Sequence, residues 1–509
     1  MEFGIFGWWL LLAALFQLSS IHGCLREERV ALFQLNTSLN SSYGYCMNNL
    51  NIERNCCDWA CVVCDNTTGR VIELHLTNGR ISYIDEVWYL NASLFLPFQE
   101  LKYLDLSNNK ISGWVPNEGF ERLSGLSKLE VLDLSYNYIN ESFLSSLGQI
   151  LSLKKLYLSY TLLDRPMNIP ISELRRLKNL QELYLDGSID KSFFGKVGVM
   201  TSLNVLTISR CRLNVSLPIF QGQFPTWLLE NNTRLAVLNL ENNSLTGTLQ
   251  LPNHYIPNLL VLDISFNNIQ GPIPNNFGLV FPNLEVLNIS KNHFEGVIPS
   301  SYGNLISLEF LDMSNNNFSG TITENLTMGC SSLFYLKLSK NHLSGQLFLA
   351  SWNLTQLVSL YLDNNHFSGE IPHSISNSSL RLIDFSNNNL SGMLPRWMEN
   401  ITMLEEIVLT KNQFEGPIPD ELCNLELLLF LDLSHNNLNG SIPSCFNGYF
   451  IKHVHLNKNR LTGPITSAFK GCSNLVTLNL KDNYLTGNIP NWIGNLSSLS
   501  ILLLKANYL

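Results

Sequence analysis

A single phrase, L-x-x-L-x-L-x-x-N-x-L, recurs along the chain and dictates most of what it can fold into. Clear copies begin at Leu101, Leu129, Leu235, Leu259, Leu284, Leu308, Leu333, Leu357, Leu380, Leu404, Leu428, Leu475 and Leu499, and Ile451 begins one with a changed first position. Copies at Leu153, Leu180 and Leu203 carry Thr161, Ser188 and Cys211 in place of the Asn, and Val71 begins a divergent first copy. From Leu235 onward the copies follow one another every 23 to 25 residues. A chain of 509 residues would ordinarily divide into roughly three domains. Phased repetition predicts one long solenoid instead, because a single unit cannot bury its apolar face alone and must stack on its neighbours.

Within a unit, x-x-L-x-L-x-x alternates polar and apolar residues at the period of a half-buried strand. In the copy at Leu308, Leu311 and Met313 should point inward and Phe310, Asp312 and Ser314 outward. Stacking lays such strands side by side in a parallel sheet, about 4.8 Å apart. The recurrent Asn, Asn316 here, falls in the turn after the strand, where its amide can satisfy backbone groups of adjacent coils as a ladder inside the core.

Twelve residues after most starts stands a Gly followed by Ile-Pro or a close variant: Gly271 with Ile273 and Pro274, Gly296 with Ile298 and Pro299, Gly416 with Ile418 and Pro419, Gly487 with Ile489 and Pro490. Gly permits a turn into a second short extended segment, and Pro, which lacks an N–H, suits an edge or irregular coil. This L-x-G-x-I-P signature resembles the plant-specific class of leucine-rich repeats. The resemblance implies an α/β-type horseshoe or superhelix, with a parallel β-sheet on the concave face and irregular or 3-10 segments on the convex face. Between Leu129 and Leu235 the Gly is replaced by Glu141, Arg165, Ser192 and Val215 and the spacing is uneven. The array therefore reads as irregular repeats over residues 71–234 and regular repeats over 235–509.

Residues 1–23 read as a signal peptide. Ile5 to Phe16 is an apolar run too short for a membrane span of about 20 residues, and Gln17 to Gly23 turns small and polar, although Glu2 stands where a basic residue is usual. A solenoid needs caps at its ends, and residues 24–70 read as the first. Leu25, Val30, Ala31, Leu32 and Leu35 would form the apolar face of a short helix, with Glu27, Glu28 and Arg29 outward. The run Cys56-Cys57-Asp58-Trp59-Ala60-Cys61-Val62-Val63-Cys64 then resembles the N-terminal cap of plant leucine-rich-repeat proteins, C-C-x-W-x-G-V-x-C. By that resemblance Cys24 pairs with Cys56 and Cys57 with Cys64, and Trp59 covers the end of the core. Cys61 stands where the family has Gly, and Cys46 is extra. Their pairing with each other is one of several connectivities open to six clustered cysteines, and zinc is the competing chemistry. Cys423 and Cys445, 22 residues apart, are placed for a bridge between adjacent coils, whereas Cys330 and Cys472 read as buried thiols.

Charged residues are 14% of the chain, against about 25% for an average soluble protein. The net charge of −9 disfavours a nucleic-acid partner, and the abundance of Leu, Ile, Val and Phe disfavours disorder. Sugar can supply the missing polarity. N-x-S/T acceptors stand at Asn36, Asn40, Asn66, Asn91, Asn140, Asn214, Asn231, Asn242, Asn288, Asn317, Asn325, Asn353, Asn377, Asn389, Asn400, Asn439 and Asn495. With the signal-like start and the cysteines they point to the secretory pathway. No catalytic, cofactor or metal-binding motif stands out, and the Asp residues at 263, 312, 384 and 432 read as the default filling of the strand.

Binding is expected on the outward face of the sheet, where the repeats serve as their own reference. Residues that keep the default Asp and Ser are scaffold; those that depart from it are candidates for recognition. These are Lys155, Tyr157, Tyr160, Glu182, Tyr184, Arg210, Tyr335, Lys337, Lys340 and Tyr361, with the tyrosines and the arginine favoured as binding hot spots. His453 and His455 share one strand face, and Asp432 precedes His455 by one repeat, an arrangement able to respond to pH. Asn288 lies on an outward strand position, where a glycan would mask the face.

The stretches Gln223 to Thr233, Gly329 to Leu333, Glu421 to Leu425 and Ser441 to Asn447 extend the resemblance to plant receptor-like proteins, cell-surface receptors with one membrane helix and no kinase. This implies the ectodomain of a plasma-membrane receptor, facing outward, with an extracellular peptide, protein or glycan ligand and a co-receptor kinase. A secreted inhibitor of a wall-degrading enzyme and a truncated decoy are the alternatives. The sequence stops at Leu509, inside the repeat begun at Leu499, which reads as a fragment or truncated product. Membrane attachment is expected only from family segments that would follow, and Leu502 and Leu504 of the last coil are expected to be uncovered.

Overall fold

The computed structural model describes residues 24–39, 55–78, 87–140, 142–160, 171–187, 200–210, 224–347, 352–446, 450–465 and 467–509. The signal-like segment, Cys46, Asn40, Asn214, the substituted Thr161, Ser188 and Cys211, and the Gly replacements Glu141, Arg165, Ser192 and Val215 lie outside the described residues. The chain divides into two compact units: Met1–Asn214 with Trp227–Asn243, and Val215–Thr226 with Ser244–Leu509.

The first unit opens with the helix Arg26–Leu39, which buries Glu28, Ala31, Leu32, Leu35 and Leu39. This corrects the expected face. Leu25 and Val30 are 46% and 49% exposed, and Glu28 is inside. Helical spacing puts Glu28 on the same side as residues 31, 32 and 35. Its carboxylate is satisfied there: it accepts from Arg70 Nε at 2.8 Å and from the N–H of Leu25 at 3.0 Å. Disulfides join Cys24 to Cys56 and Cys57 to Cys64, and Cys61 is also disulfide-bonded. Trp59 is buried and meets Phe33 edge to face, ring centres 5.6 Å apart. The strand Val62–Cys64 pairs antiparallel with Val71–His75. From there every addition is parallel and in register: Tyr103–Asp105, Val131–Asp133, Lys155–Tyr157, Glu182–Tyr184, Val205–Thr207 and Val237–Asn239.

The second unit repeats the plan with greater regularity. Its strands run from Val261–Asp263 to Ile501–Leu503, each paired in parallel with the next. The central residue of nearly every strand is buried, as in Leu262, Leu311 and Leu431, and the flanking two are half-buried. A second ladder follows, from Thr246–Thr248 to Asn437–Asn439. The Gly of the L-x-G-x-I-P phrase makes it possible. Gly271 has φ 79°, and a Cβ there would lie 2.9 Å from Thr248 Cγ2 of the preceding coil. Short 3-10 turns such as Ser300–Asn304 and Asp420–Asn424 complete the coils.

The Asn ladder closes each coil. Asn316 donates to the carbonyls of Ile289, Met313 and Ser314 at 3.0–3.3 Å and accepts from the N–H of Phe318's counterpart one coil back, Phe294, at 3.0 Å. One amide thus satisfies four buried backbone groups that no strand pairing reaches. Cys423 and Cys445 are bonded to each other, and Cys330 and Cys472 are buried thiols. In the last coil Leu502 and Leu504 are half-buried, where their equivalents Leu478 and Leu480 are fully covered.

Candidate ligand-binding face

The default Asp of the third strand position has a defined task. Asp105, Asp133, Asp263, Asp312, Asp384 and Asp432 each accept, through Oδ1, the N–H of the residue two ahead at 2.8–3.0 Å. This is an Asx turn, and it ends the strand. The Ser that receives the cap is buried rather than outward: Ser314 is 2% exposed. The expected outward placement of Ser314 is therefore corrected, because the chain has already begun to turn inward there. The residue after that Ser adopts a left-handed conformation in coil after coil, as at Lys291 and Asn315 with φ 53° and 55°.

These observations sort the candidates. Lys155, Tyr157, Glu182, Tyr184, Tyr335, Lys337, Tyr361, His453 and His455 lie on the outward face of the sheet. Tyr160, Arg210 and Lys340 do not; they occupy the left-handed turn, with φ 54°, 56° and 54°. At Tyr157, Tyr184, Lys337, Tyr361 and His455 the Asp cap is given up, so side-chain identity there is not explained by closing the coil.

In the first unit the departures meet. Tyr157 and Tyr184 stack with centres 4.3 Å apart and planes 8° from parallel. Lys155 Nζ pairs with Glu182 Oε1 at 2.7 Å, and the Tyr184 hydroxyl donates to Glu182 Oε2 at 3.1 Å. At the turn, Tyr160 stacks on Tyr136 at 5.0 Å, and Arg210 Nη1 donates to the Tyr160 hydroxyl at 2.8 Å. Tyr103 extends the group, packed on His75 at 4.8 Å, while His75 Nε2 lies 3.0 Å from Glu73. Burial, with Asp105, Asp133, Tyr157 and Glu73 nearby, pushes the Tyr103 phenol up to about 12. Burial, then Glu182 and Tyr157, raise Tyr184 as well. Burial likewise raises the Asp133 carboxyl, against the hydrogen bonds from Ser135. The face is aromatic, with Lys155 and Arg210 standing among the carboxylates.

The second unit carries two smaller groups. Tyr335 stacks on Phe310 at 4.4 Å and touches Tyr361 at 5.6 Å, over which the Lys337 ammonium lies 5.0 Å from the ring centre. His455 Nδ1 is 3.7 Å from Asp432 Oδ2, and His453 meets the Thr477 hydroxyl at 3.2 Å. Burial alone would raise Asp432, but hydrogen bonds from His455 and Ser434 outweigh it and hold the carboxyl below its usual range. Burial, His455 and Lys452 push the His453 imidazole down.

Five partners escaped the sequence reading: Glu73, His75, Tyr103, Tyr136 and Phe310. Tyr103 and Phe310 sit at the first strand position, as Lys155, Glu182, Tyr335 and His453 do, but in coils whose third position keeps the default Asp105 and Asp312. His75 belongs to the divergent first copy, where the phase is hardest to read. Among the acceptor sites, Asn288 is half-buried, with Nδ2 donating to Asp263 Oδ2 at 3.0 Å, while Asn66, Asn140, Asn231, Asn242, Asn317, Asn325, Asn353, Asn377, Asn389, Asn400, Asn439 and Asn495 are exposed and Asn36 and Asn91 half-buried.

Leucine-rich-repeat family models match residues 282–344, 355–414 and 451–509, and a second such model matches 100–121, 128–150, 258–279 and 427–449, together more than half of the chain. The chain belongs to the leucine-rich-repeat proteins. Its relatives are plant receptor-like proteins. Cuscuta receptor 1 of Solanum lycopersicum is 35% identical over 247 residues, which is 45% of this chain and 21% of the relative. Receptor-like protein 9a of Arabidopsis thaliana is 35% identical over 185 residues, 36% of this chain and 19% of the relative. The matched part is thus about a fifth of the length of these relatives. Among solved structures, PEPR1 with AtPEP1 superposes with a TM-score of 0.69 at 30% identity, over 95% of this leucine-rich-repeat chain and 69% of that one. The Arabidopsis receptor kinase HAESA, in complex with the peptide hormone IDA and the co-receptor SERK1, gives 0.65 at 26% identity, over 95% and 90%. Among the described residues no helix is long and apolar enough to cross a membrane.

Proposed function

We propose that this leucine-rich-repeat chain is the extracellular, ligand-binding part of a plant cell-surface receptor-like protein. Its ligand is a peptide carrying a basic side chain, and it signals through a partner kinase. One observation carries the reading: on adjacent coils of the first unit, Tyr157 and Tyr184 replace the Asp that caps the strand and stack on each other beside Asp133 and the Lys155–Glu182 pair. Rigid tyrosines offer a large contact area at low entropic cost, and their ring faces attract a cation. The likeness to a receptor kinase solved with a peptide hormone and a co-receptor supports the same class.

The test is retention of a positional-scanning library of synthetic peptides on the immobilised chain. Retained peptides should be enriched in Arg or Lys, and the double variant Tyr157→Ala, Tyr184→Ala should lose them. Retention that ignores both substitutions would overturn the assignment of the site. Glycans are expected on the exposed acceptors and not on Asn288, which peptide mapping by mass spectrometry would decide.

A further inference from the structure

Away from the sheet, the connecting turns of three successive coils of the second unit meet around an open cleft. They are the helix Phe277–Val280, the 3-10 turn Ser300–Asn304 and the helix Glu324–Gly329. Glycine sets their approach. A Cβ on Gly303 would lie 2.6 Å from the Asn325 carbonyl oxygen, and one on Gly329 would lie 2.0 Å from the Gly303 carbonyl oxygen. The N–H of Gly278 donates to Ser301 Oγ at 3.2 Å. The turns are thus packed backbone to backbone, and Gly303 and Gly329 line the cleft with bare main chain.

The cleft holds about 500 Å³, within the ~300–1,000 Å³ of ordinary small-ligand sites. Its lining combines Leu279 and Met328, each 48% exposed, with the amides of Asn275, Asn304 and Asn325 and the Ser300 hydroxyl. No lining residue carries a charge. The lining therefore gives no hold on an ionic ligand, and its amides present donors and acceptors that an apolar helix would leave unsatisfied. A pyranose ring suits both kinds of surface: its C–H faces cover apolar side chains, and its hydroxyls pair with amides.

The attachment point for such a ring is part of the cleft. Asn325 begins the acceptor Asn325-Leu326-Thr327. Its side chain is exposed, lines the cleft and has no hydrogen-bond partner among the described residues. The neighbouring acceptor Asn353 differs. Its Nδ2 donates to the Met328 carbonyl at 3.4 Å, and it does not line the cleft. A sugar joined to Asn325 needs little intrinsic affinity, because a tether replaces bulk concentration with a local one on the order of millimolar. We propose that Asn325 is an N-glycosylation site whose first sugars pack into this cleft, against Leu279 and Met328. The inference rests on the extracellular reading of the chain, and occupancy of the other acceptors separates the two.

The experiment secretes the full chain from plant cells and maps glycan occupancy, then sulfoxide formation under dilute peroxide, by mass spectrometry. Met393, 67% exposed, is the reference within each sample. Asn325 should be occupied and Met328 protected. In Asn325→Gln, Met328 should oxidise at least about threefold faster relative to Met393, because its thioether is uncovered. Hydrogen exchange over residues 275–304 should quicken in the same variant and stay unchanged elsewhere, which shows that it is folded. Asn353→Gln should leave Met328 as slow as in wild type. The inference is overturned if Asn325 is bare while other acceptors carry sugar, or if Asn325→Gln leaves Met328 protected. It is overturned as well if Asn353→Gln uncovers Met328, which would make the neighbouring acceptor the source. If no acceptor carries sugar, the extracellular reading falls together with it.

Discussion

The two units use one coil design with different strictness. In the second, Asp263, Asp312, Asp384 and Asp432 hold the capping position, Asn288 substitutes for Asp, Lys337, Tyr361, Val408, His455 and Leu503 give it up, and Gly271 and its equivalents open a regular second ladder. In the first, Asp105 and Asp133 keep the cap but Tyr157, Tyr184 and Thr207 abandon it on consecutive coils. Among the described residues the only second-ladder pairing there is Trp88–Leu90 with Ile111–Trp114. The difference separates two demands on one sequence. Where the residues close the coil they are predictable from the repeat; where they do not, their identities serve contacts that the fold does not need.

Breaking the strict unit should cost most at the ladder. Asn341→Ala would strip partners from the buried N–H of Phe318 and the carbonyls of Met313 and Leu338. A loss of about 3 kcal/mol is expected in urea unfolding of the wild type against the variant. Next comes Gly271→Ala, which forces a side chain into a left-handed turn against Thr248; about 1–2 kcal/mol is expected in the same assay. Asp312→Ala removes one Asx cap at Ser314 and should cost about 1 kcal/mol while leaving ligand binding unchanged.

The smallest effect sharpens the electrostatics. Burial raises the Asp384 carboxyl in the folded chain, so the folded state binds its proton more tightly than the unfolded state. Stability from this group is therefore gained as pH falls through the raised folded pKa and is lower at neutral pH. Asp384→Asn keeps an acceptor for Ser386, as Asn288 does for Ser290, and should raise the melting temperature slightly at pH 7 but not at pH 3. His435 and His453 work in the opposite sense. Both are depressed by burial and neighbouring cations, so stability falls as pH drops through the ordinary imidazole range, and His453→Gln should blunt that fall.

Much of the fold was legible because periodicity reports burial directly. Leu311 and Met313 fill the core, and Asn316 bridges coils, as alternation and amide chemistry require. What stayed hidden depended on three-dimensional company. Glu28 reads as a surface residue until Arg70, 42 positions later, supplies its counterion. Ser314 reads as outward until the Asx turn is recognised, and Tyr160, Arg210 and Lys340 read as strand residues until their positive φ places them in the turn. The site was legible only through departures from a default. Tyr157 and Tyr184 could be picked out on that basis, whereas Tyr103, in a coil that keeps the default Asp105, could not.

The most direct measurement is a paired comparison of peptide binding and thermal stability in Tyr157→Ala, Tyr184→Ala against Asp312→Ala. The account predicts that the tyrosine variant loses retained peptides at a nearly unchanged melting temperature, and that the Asp312 variant melts earlier with binding intact. If binding in both variants simply follows stability, the separation between scaffold and recognition positions is contradicted.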